Sequence, residues 1–143
     1  DRLVFTYRVT KEKYLAQFRQ ADLFLDTFTY NAGATASNAL WAGLPVLTKL
    51  GEGYTSRMAA SLLISLELQE LITKTKLEYE NLALELATNS ERLLEIRSKL
   101  AMNRLSKPLY KTKLFTKHLE VGYQQAHQNY IAGNKPKIIY VEP

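Results

Sequence analysis

The chain has 143 residues, 46% of them hydrophobic and 23% charged, the proportions of an ordinary globular protein with apolar material for one core. Zero cysteines exclude disulfides, thiol catalysis and cysteine-ligated zinc, and two separated histidines, His118 and His127, leave little for another metal, so no metal and no cofactor are expected. No apolar run reaches membrane-spanning length, and Arg2, Arg8, Lys11 and Lys13 precede no apolar signal-peptide core, so no membrane partner is expected and a cytoplasmic setting fits.

The formal charge of +5 is concentrated between Glu91 and Lys117, where Arg92, Arg97, Lys99, Arg104, Lys107, Lys111, Lys113 and Lys117 face only Glu91 and Glu95. This stretch reads either as a solvated helical face or as a surface for an anion or acidic partner. The chain opens at Asp1 without an initiator Met and runs straight into RLVF, as a segment cut from a longer polypeptide would. It is expected to be one domain over 1–143, with a tail from 134 onward that is docked or flexible.

The first half alternates strand-length apolar runs with segments of helical period. Leu3 to Phe5 is the first strand candidate. Thr10 then caps KEKYLAQFRQA, whose Tyr14, Leu15 and Phe18 share a helical face. Leu23 to Asp26 is the second strand, and a loop with Asn31 and Gly33 leads into TASNALWAG, a helix stopped by Gly43 and Pro45. PVLT supplies the third strand. The alternation implies parallel strands joined by right-handed crossovers, an α/β fold of about three strands.

The second half reads as helical. SRMAASLLISL is apolar and rich in small residues; TKLEYENLALELAT carries Thr75 and Glu78 at capping-box spacing, and Thr88 with Glu91 repeats that spacing before SERLLEIRSKLAMNRL. The last helix, Lys111 to Ala132, sets Phe115, Leu119, Tyr123, Ala126 and Tyr130 on one face, read as core packing, and Gly133 with Asn134 ends it.

Chemistry is best placed in LFLDTFTYNAGATASNALWAGLPVLT, Leu23 to Thr48. A strand ends, small residues follow, and a helix begins at about Thr35, so its first N–H groups point into the crevice at the carboxyl ends of the strands. Gly33 and Ala34 let a ligand approach the backbone, Thr35 adds a hydroxyl, and the helix dipole favours a phosphate; the same loop is also compatible with mere connection. Neither GxGxxG nor GxxxxGK[ST] is present. Asp26 reads as a catalytic carboxylate or as a turn residue, and His118 and His127 as surface or structural histidines rather than a general base.

LDTFTYNAGATASNALWAGLPVLT followed by GEGYTSRMAASLL resembles the UDP-binding signature of the O-linked N-acetylglucosamine transferase family, including its bacterial relatives with tetratricopeptide repeats. RLVF with TKEKY, SKPLYKTK and AGNKP extend the likeness, in family order, over most of the chain. The resemblance implies a GT-B architecture, of which this chain would be the later part of the carboxy-terminal, Rossmann-like domain.

Carried over by position, the Val9 backbone is implied to bond uracil and Lys11 to contact the nucleotide. Tyr14 stands where the animal enzymes have a histidine stacked on uracil. Gly33, Ala34 and Thr35 occupy the diphosphate turn, where those enzymes have His-Thr-Thr. Asn38 stands where an aspartate accepts from the ribose hydroxyls, and without the charge its bond is weaker. The family chemistry is inverting transfer from a UDP-sugar, UDP-N-acetylglucosamine foremost, to a protein Ser or Thr hydroxyl. The catalytic base and acceptor groove belong to the other half of the catalytic region, so no catalytic residue is assigned here and the isolated chain is expected to be inactive.

Two functions follow. In one the chain supplies a donor subsite, with UDP-sugar, the amino-terminal half of the catalytic region and an acceptor protein as partners. In the other it is a non-catalytic module whose basic helices bind an acidic partner. Aromatic residues do not interleave with the basic ones, so nucleic acid is not expected. A sheet of three strands is narrow, and self-association would cover its apolar flank.

Overall fold

The computed structural model describes residues 2–141. Asp1 and the last two residues of the tail, on which the readings of a cut start and of the tail's end partly rest, lie outside the described residues. The chain groups into two compact units, the boundary falling between Lys107 and Pro108.

The first unit contains a parallel sheet of three strands in the order β1, β2, β3, formed by Phe24–Leu25, Val46–Lys49 and Ile72–Thr73. Phe24 pairs with Val46 and Leu25 with Leu47; Thr48 pairs with Ile72 and Lys49 with Thr73. Helices α1 (Lys11–Gln17) and α2 (Ala34–Ala42) flank β1 in the chain, and α3 (Met58–Ser65) follows β2. After β3 come α4 (Lys76–Thr88) and α5 (Ser90–Ser106). The strand count matches the expectation, but its members differ. Leu3 to Phe5 forms no strand: Leu3, Val4 and Phe5 lie exposed without a ladder partner, and an apolar run has no reason to extend where nothing accepts its backbone bonds. The third strand is instead Ile72–Thr73, in the half read as helical, held by Leu50 N–H donating to Thr73 O at 2.8 Å and Thr73 Oγ1 to Thr48 O at 3.0 Å.

β2 is the centre of the core. Val46 and Leu47 are fully buried, and α2, α3 and α4 all pack against this strand. Ala36 and Ala39 of α2 and Ala59 and Ala60 of α3 let these helices approach closely, while Leu40, Leu63, Leu66, Leu68 and Leu71 fill the space between them. α5 adds Ile96 and Leu100 and is tied to the loop after α3 by Asn103 Nδ2 donating to Leu66 O at 2.7 Å in a buried setting. α2 stops where expected: Gly43 has φ +92°, Leu44 N–H bonds back to Ala39 O at 2.9 Å, and Arg104 Nη1 donates to Trp41 O at the negative end of the helix.

The capping box at α4 is present as read. Thr75 Oγ1 accepts from Glu78 N–H at 3.1 Å, and the Glu78 carboxylate accepts from Lys74 and Thr75 N–H, which holds its pKa below the usual carboxylate range. The cap of α5 is not Thr88. That hydroxyl donates to Leu84 O inside α4, and Asn89 caps α5 by accepting from Arg92 N–H at 3.0 Å. With only one residue between two helices, Thr88 remains in the first of them.

In the second unit a short turn, Pro108–Tyr110, precedes α6 (Thr112–Ile131), and Gly133 at φ +68° ends it. Phe115, Leu119, Tyr123 and Tyr130 were read as core, but all are exposed, as is Ala126. The half-buried stripe lies beside them, at Leu114, His118, Val121, Gly122, Gln125 and Asn129. The tail covers it: Lys137 to Tyr140 share a cleft with Gln125 and Asn129, and Val141 lies 3.7 Å from where a side chain on Gly122 would begin. Among the described residues, no helix is long and apolar enough to cross a membrane.

The cap assignment at α5 has a direct check. Asn89→Ala is expected to lower the unfolding free energy by about 1 kcal/mol in urea denaturation, and Thr88→Ala by less than about 0.5 kcal/mol. The reverse order would return the cap to Thr88.

Candidate functional site

The segment singled out in the sequence begins at the end of β1 with Asp26, which is only 4% exposed. A carboxylate in that position needs donors on both oxygens, and it has them. Oδ1 accepts from Thr27 N–H at 2.9 Å and from Ala32 N–H at 2.8 Å, and Oδ2 accepts from Thr48 Oγ1 at 2.7 Å. The backbone of Asp26 is held as well, its N–H donating to Leu47 O at 3.0 Å and its carbonyl accepting from the Tyr79 hydroxyl at 3.0 Å. Of the two readings of Asp26, the structure gives the turn residue, since both carboxylate oxygens are committed to organising the loop.

The loop is further closed on itself. Asn31 is fully buried, its Nδ2 donates to Thr27 O at 2.7 Å and its N–H to Thr55 O at 3.0 Å, while Thr27 Oγ1 donates to Tyr30 O. Asn31 Oδ1 has no partner among the described residues. These bonds deliver the chain to Gly33, the N-cap of α2, which provides no side chain to cap the helix. The first helical bond runs from Ser37 N–H to Gly33 O at 3.0 Å, so the amides of Ala34, Thr35 and Ala36 precede it. Ala34 and Thr35 are exposed, and Asn38 is half-buried one turn further on. Gly33, Ala34, Thr35 and Asn38 are therefore contiguous at one open helix start of positive dipole.

Lys11 and Tyr14 belong to α1 and Val9 precedes it; α1 packs beside α2, and Leu15, Ala16 and Arg19 share a cleft with Trp41 and Ala42 at the carboxyl-terminal end of α2. Val9 and Lys11 are exposed; Tyr14 is half-buried, with its ring edge-on to Phe18 at 4.9 Å, and Phe18 in turn lies 6.5 Å from Phe24 of β1. The ring contact of Tyr14 thus runs along α1 toward the sheet. His118 is half-buried and His127 exposed on α6.

Other neighbours of the loop were missed. Phe28 lies edge-on to Tyr79 at 4.9 Å, and the ammonium groups of Lys49 and Lys76 each lie 5.8 Å from its ring centre. Lys49 ends β2, so its place at the carboxyl end of a parallel strand was a signal that went unused. On the other side, Met58 Cε lies 3.4 Å from where a Cβ on Gly33 would stand. Met58 lines an open, largely apolar cleft of about 420 Å³ with Leu50, Tyr54, Arg57 and Ile64.

Four of the eight basic side chains of the stretch are paired with acids among the described residues. Arg92 pairs with Glu95 at 3.0 Å, Arg97 with Asp22 at 2.8 Å, Lys99 with Glu70 at 2.7 Å and Lys107 with Glu67 at 2.7 Å. Each pair is partly exposed and adds little stability, but together they remove much of the field that a polyanion would follow.

Burial, and then the charge of Asp26, push the Tyr79 phenol from its ordinary 10.0 up to about 12. The folded state holds this proton more tightly than the unfolded chain does. Its contribution to stability is therefore complete below about pH 10 and disappears as pH rises toward about 12. Urea unfolding of the parent and of Tyr79→Phe at about pH 9 and about pH 11 is expected to show an alkaline loss that the variant shares only in part. Equal losses would count against this assignment.

The profile of glycosyl transferase family 41 matches residues 1–119. The chain is 34% identical over 133 residues to a UDP-N-acetylglucosamine–peptide N-acetylglucosaminyltransferase of Caenorhabditis elegans, covering 93% of this chain and 12% of that protein. It is 32% identical over 138 residues to the probable Arabidopsis thaliana enzyme SEC, covering 96% of this chain and 14% of that protein. A mutant of the Thermobaculum terrenum O-GlcNAc transferase superposes with a TM-score of 0.76 at 33% identity, over 82% of this chain and 22% of that one. The chain thus spans a small part of each relative, and its three parallel strands with flanking helices are the Rossmann-like part of a GT-B glycosyltransferase. The chain belongs to glycosyl transferase family 41.

Proposed function

We propose that this chain supplies the donor-nucleotide subsite of a UDP-sugar-dependent protein O-glycosyltransferase, with transfer from UDP-N-acetylglucosamine to Ser or Thr as the reaction of the longer protein. The observation that carries the reading is the start of α2, a helix whose first amides have no side-chain cap and whose N-cap and first residue are Gly33 and Ala34. A diphosphate there would accept from the amides of Ala34 and Thr35 and from the Thr35 hydroxyl, with the helix dipole favouring its charge. Asn38, one turn on, would accept from a ribose hydroxyl. Val9, Lys11 and Tyr14, on the segment that packs beside α2, would take the base and add a cation.

The electrostatic role follows from the same geometry. As the sugar leaves, negative charge grows on the UDP oxygens, and fixed N–H donors already aimed at them lower the barrier without reorganising. Needing no metal for this, the site would use backbone amides and Lys11. The general base and the acceptor-binding surface would come from the amino-terminal half of the catalytic region and from tetratricopeptide repeats of a cytoplasmic parent protein. The chain alone would bind donor without turning it over. The competing reading, a basic module for acidic partners, is disfavoured by the ion pairs along α5.

In a thermal melt, UDP is expected to raise the midpoint of the chain, by an amount equivalent to about 2.7 kcal/mol at a concentration of about 100 times Kd. Thr35→Ala and Tyr14→Ala should each shrink the shift, and no shift at millimolar UDP would count against the subsite. Isolated from the longer protein, the open edge of β1, with Leu25 57% exposed, should favour self-association. A monomeric mass in sedimentation at high concentration would refute that expectation.

A further inference from the structure

Within the reading of the α2 start as a nucleotide site, on which this rests, we infer that Tyr79 is a positioning residue for that site, acting through the backbone carbonyl of Asp26. Tyr79 belongs to α4 and is 53 residues away in sequence, yet its hydroxyl reaches the exit of β1 in a buried hydrogen bond of 3.0 Å. The bond holds one side of the peptide that joins Asp26 to Thr27. The other side is held by Thr27 N–H on Asp26 Oδ1, at 2.9 Å. Rotation of this peptide therefore breaks both bonds at once, and it takes from Asp26 Oδ1 one of the donors that orient it, on the oxygen that also holds Ala32 N–H at 2.8 Å. Ala32 immediately precedes Gly33, so the orientation of the Asp26 carboxylate sets where the open amides of α2 begin.

Tyr79 is itself well placed to act as a fixed post. Its ring stands edge-on to Phe28 at 87°, and the start of α4, three residues before it, is locked by the reciprocal bonds of Thr75 and Glu78. On the opposite side, Thr48 Oγ1 fixes Asp26 Oδ2 from β2. The Asp26 carboxylate is thus held directly by β2 and indirectly, through the Asp26–Thr27 peptide, by α4, neither of which needs to touch the ligand. Removal of the hydroxyl leaves a buried carbonyl unsatisfied while the ring stays in place, and the peptide gains freedom to turn.

The test titrates UDP calorimetrically into the whole chain and into Tyr79→Phe, Thr48→Val and the double variant, at a temperature where circular dichroism shows all four folded. Each single variant is expected to raise Kd about threefold to tenfold, and the double variant little more than the weaker-binding single, because both act through one carboxylate. Amide exchange without UDP should quicken at Ala32, Ala34 and Thr35 in Tyr79→Phe. A lowered melting temperature with unchanged Kd and unchanged exchange at those amides would reduce Tyr79 to scaffold and overturn the inference. Parent protein that fails to bind millimolar UDP overturns the nucleotide reading and this inference with it. Should Tyr79→Phe fail to fold, Thr48→Val carries the same two measurements.

Discussion

A buried carboxylate is costly unless both its oxygens are hydrogen-bonded, and the structure around the end of β1 supplies those bonds. Asp26 is satisfied by three donors drawn from its own loop and from β2, and its main chain is bonded to β2 and α4. Through these donors the loop from Thr27 to Ala32 is tied at both its ends to the Asp26 carboxylate. The strand exit, the turn and the helix start are consequently specified together. Had this position carried an apolar residue, β1 and α2 could form with the turn free to wander between them.

The fixed turn ends in a helix that is left unfinished. Two helices are capped by side chains, α4 by Thr75 and α5 by Asn89, each bond contributing about 1 kcal/mol, whereas Thr10, Arg57 and Lys111 give no side-chain cap bond to α1, α3 and α6. At α2 the N-cap is Gly33, whose missing side chain leaves the first amides open. Local stability is lower there than a Ser or Asp would give, and the compensation comes from depth of burial: Ala36, Ala39 and Leu40 anchor the same helix in the core. An open positive helix end mounted on a rigid base is the arrangement an anionic ligand requires.

The elements legible in the sequence are those decided by neighbours within a few residues. The capping box of α4 needs only Thr75 and Glu78, and the stop of α2 only Gly43 and the residues it bonds back to. The turn of Gly33 to Thr35 was legible as an open helix start for the same reason, and the family likeness rested on that segment and on motifs along most of the chain. Leu3 to Phe5 has the composition of a strand but no paired neighbour, whereas Ile72 and Thr73, too short to show any alternation, become a strand because Thr48 and Lys49 stand beside them. In α6 the period of 3.6 identified an apolar stripe, yet the tail rests on the adjacent one and leaves Phe115 and Tyr123 exposed.

The sequence by itself determined the capping box of α4, the stop of α2, the parallel α/β class and the family, because caps, turn residues and motif order act over short spans of chain, though it misplaced the cap of α5. Only the tertiary structure decided which apolar faces are covered, that Arg97 and Lys99 of α5 are paired with acids from other elements, and that Asp26 supports the turn rather than acting as a base. Each of these depends on groups distant in sequence, Tyr79 with Asp26 or Arg97 with Asp22, and periodicity contains no information about which distant group will arrive.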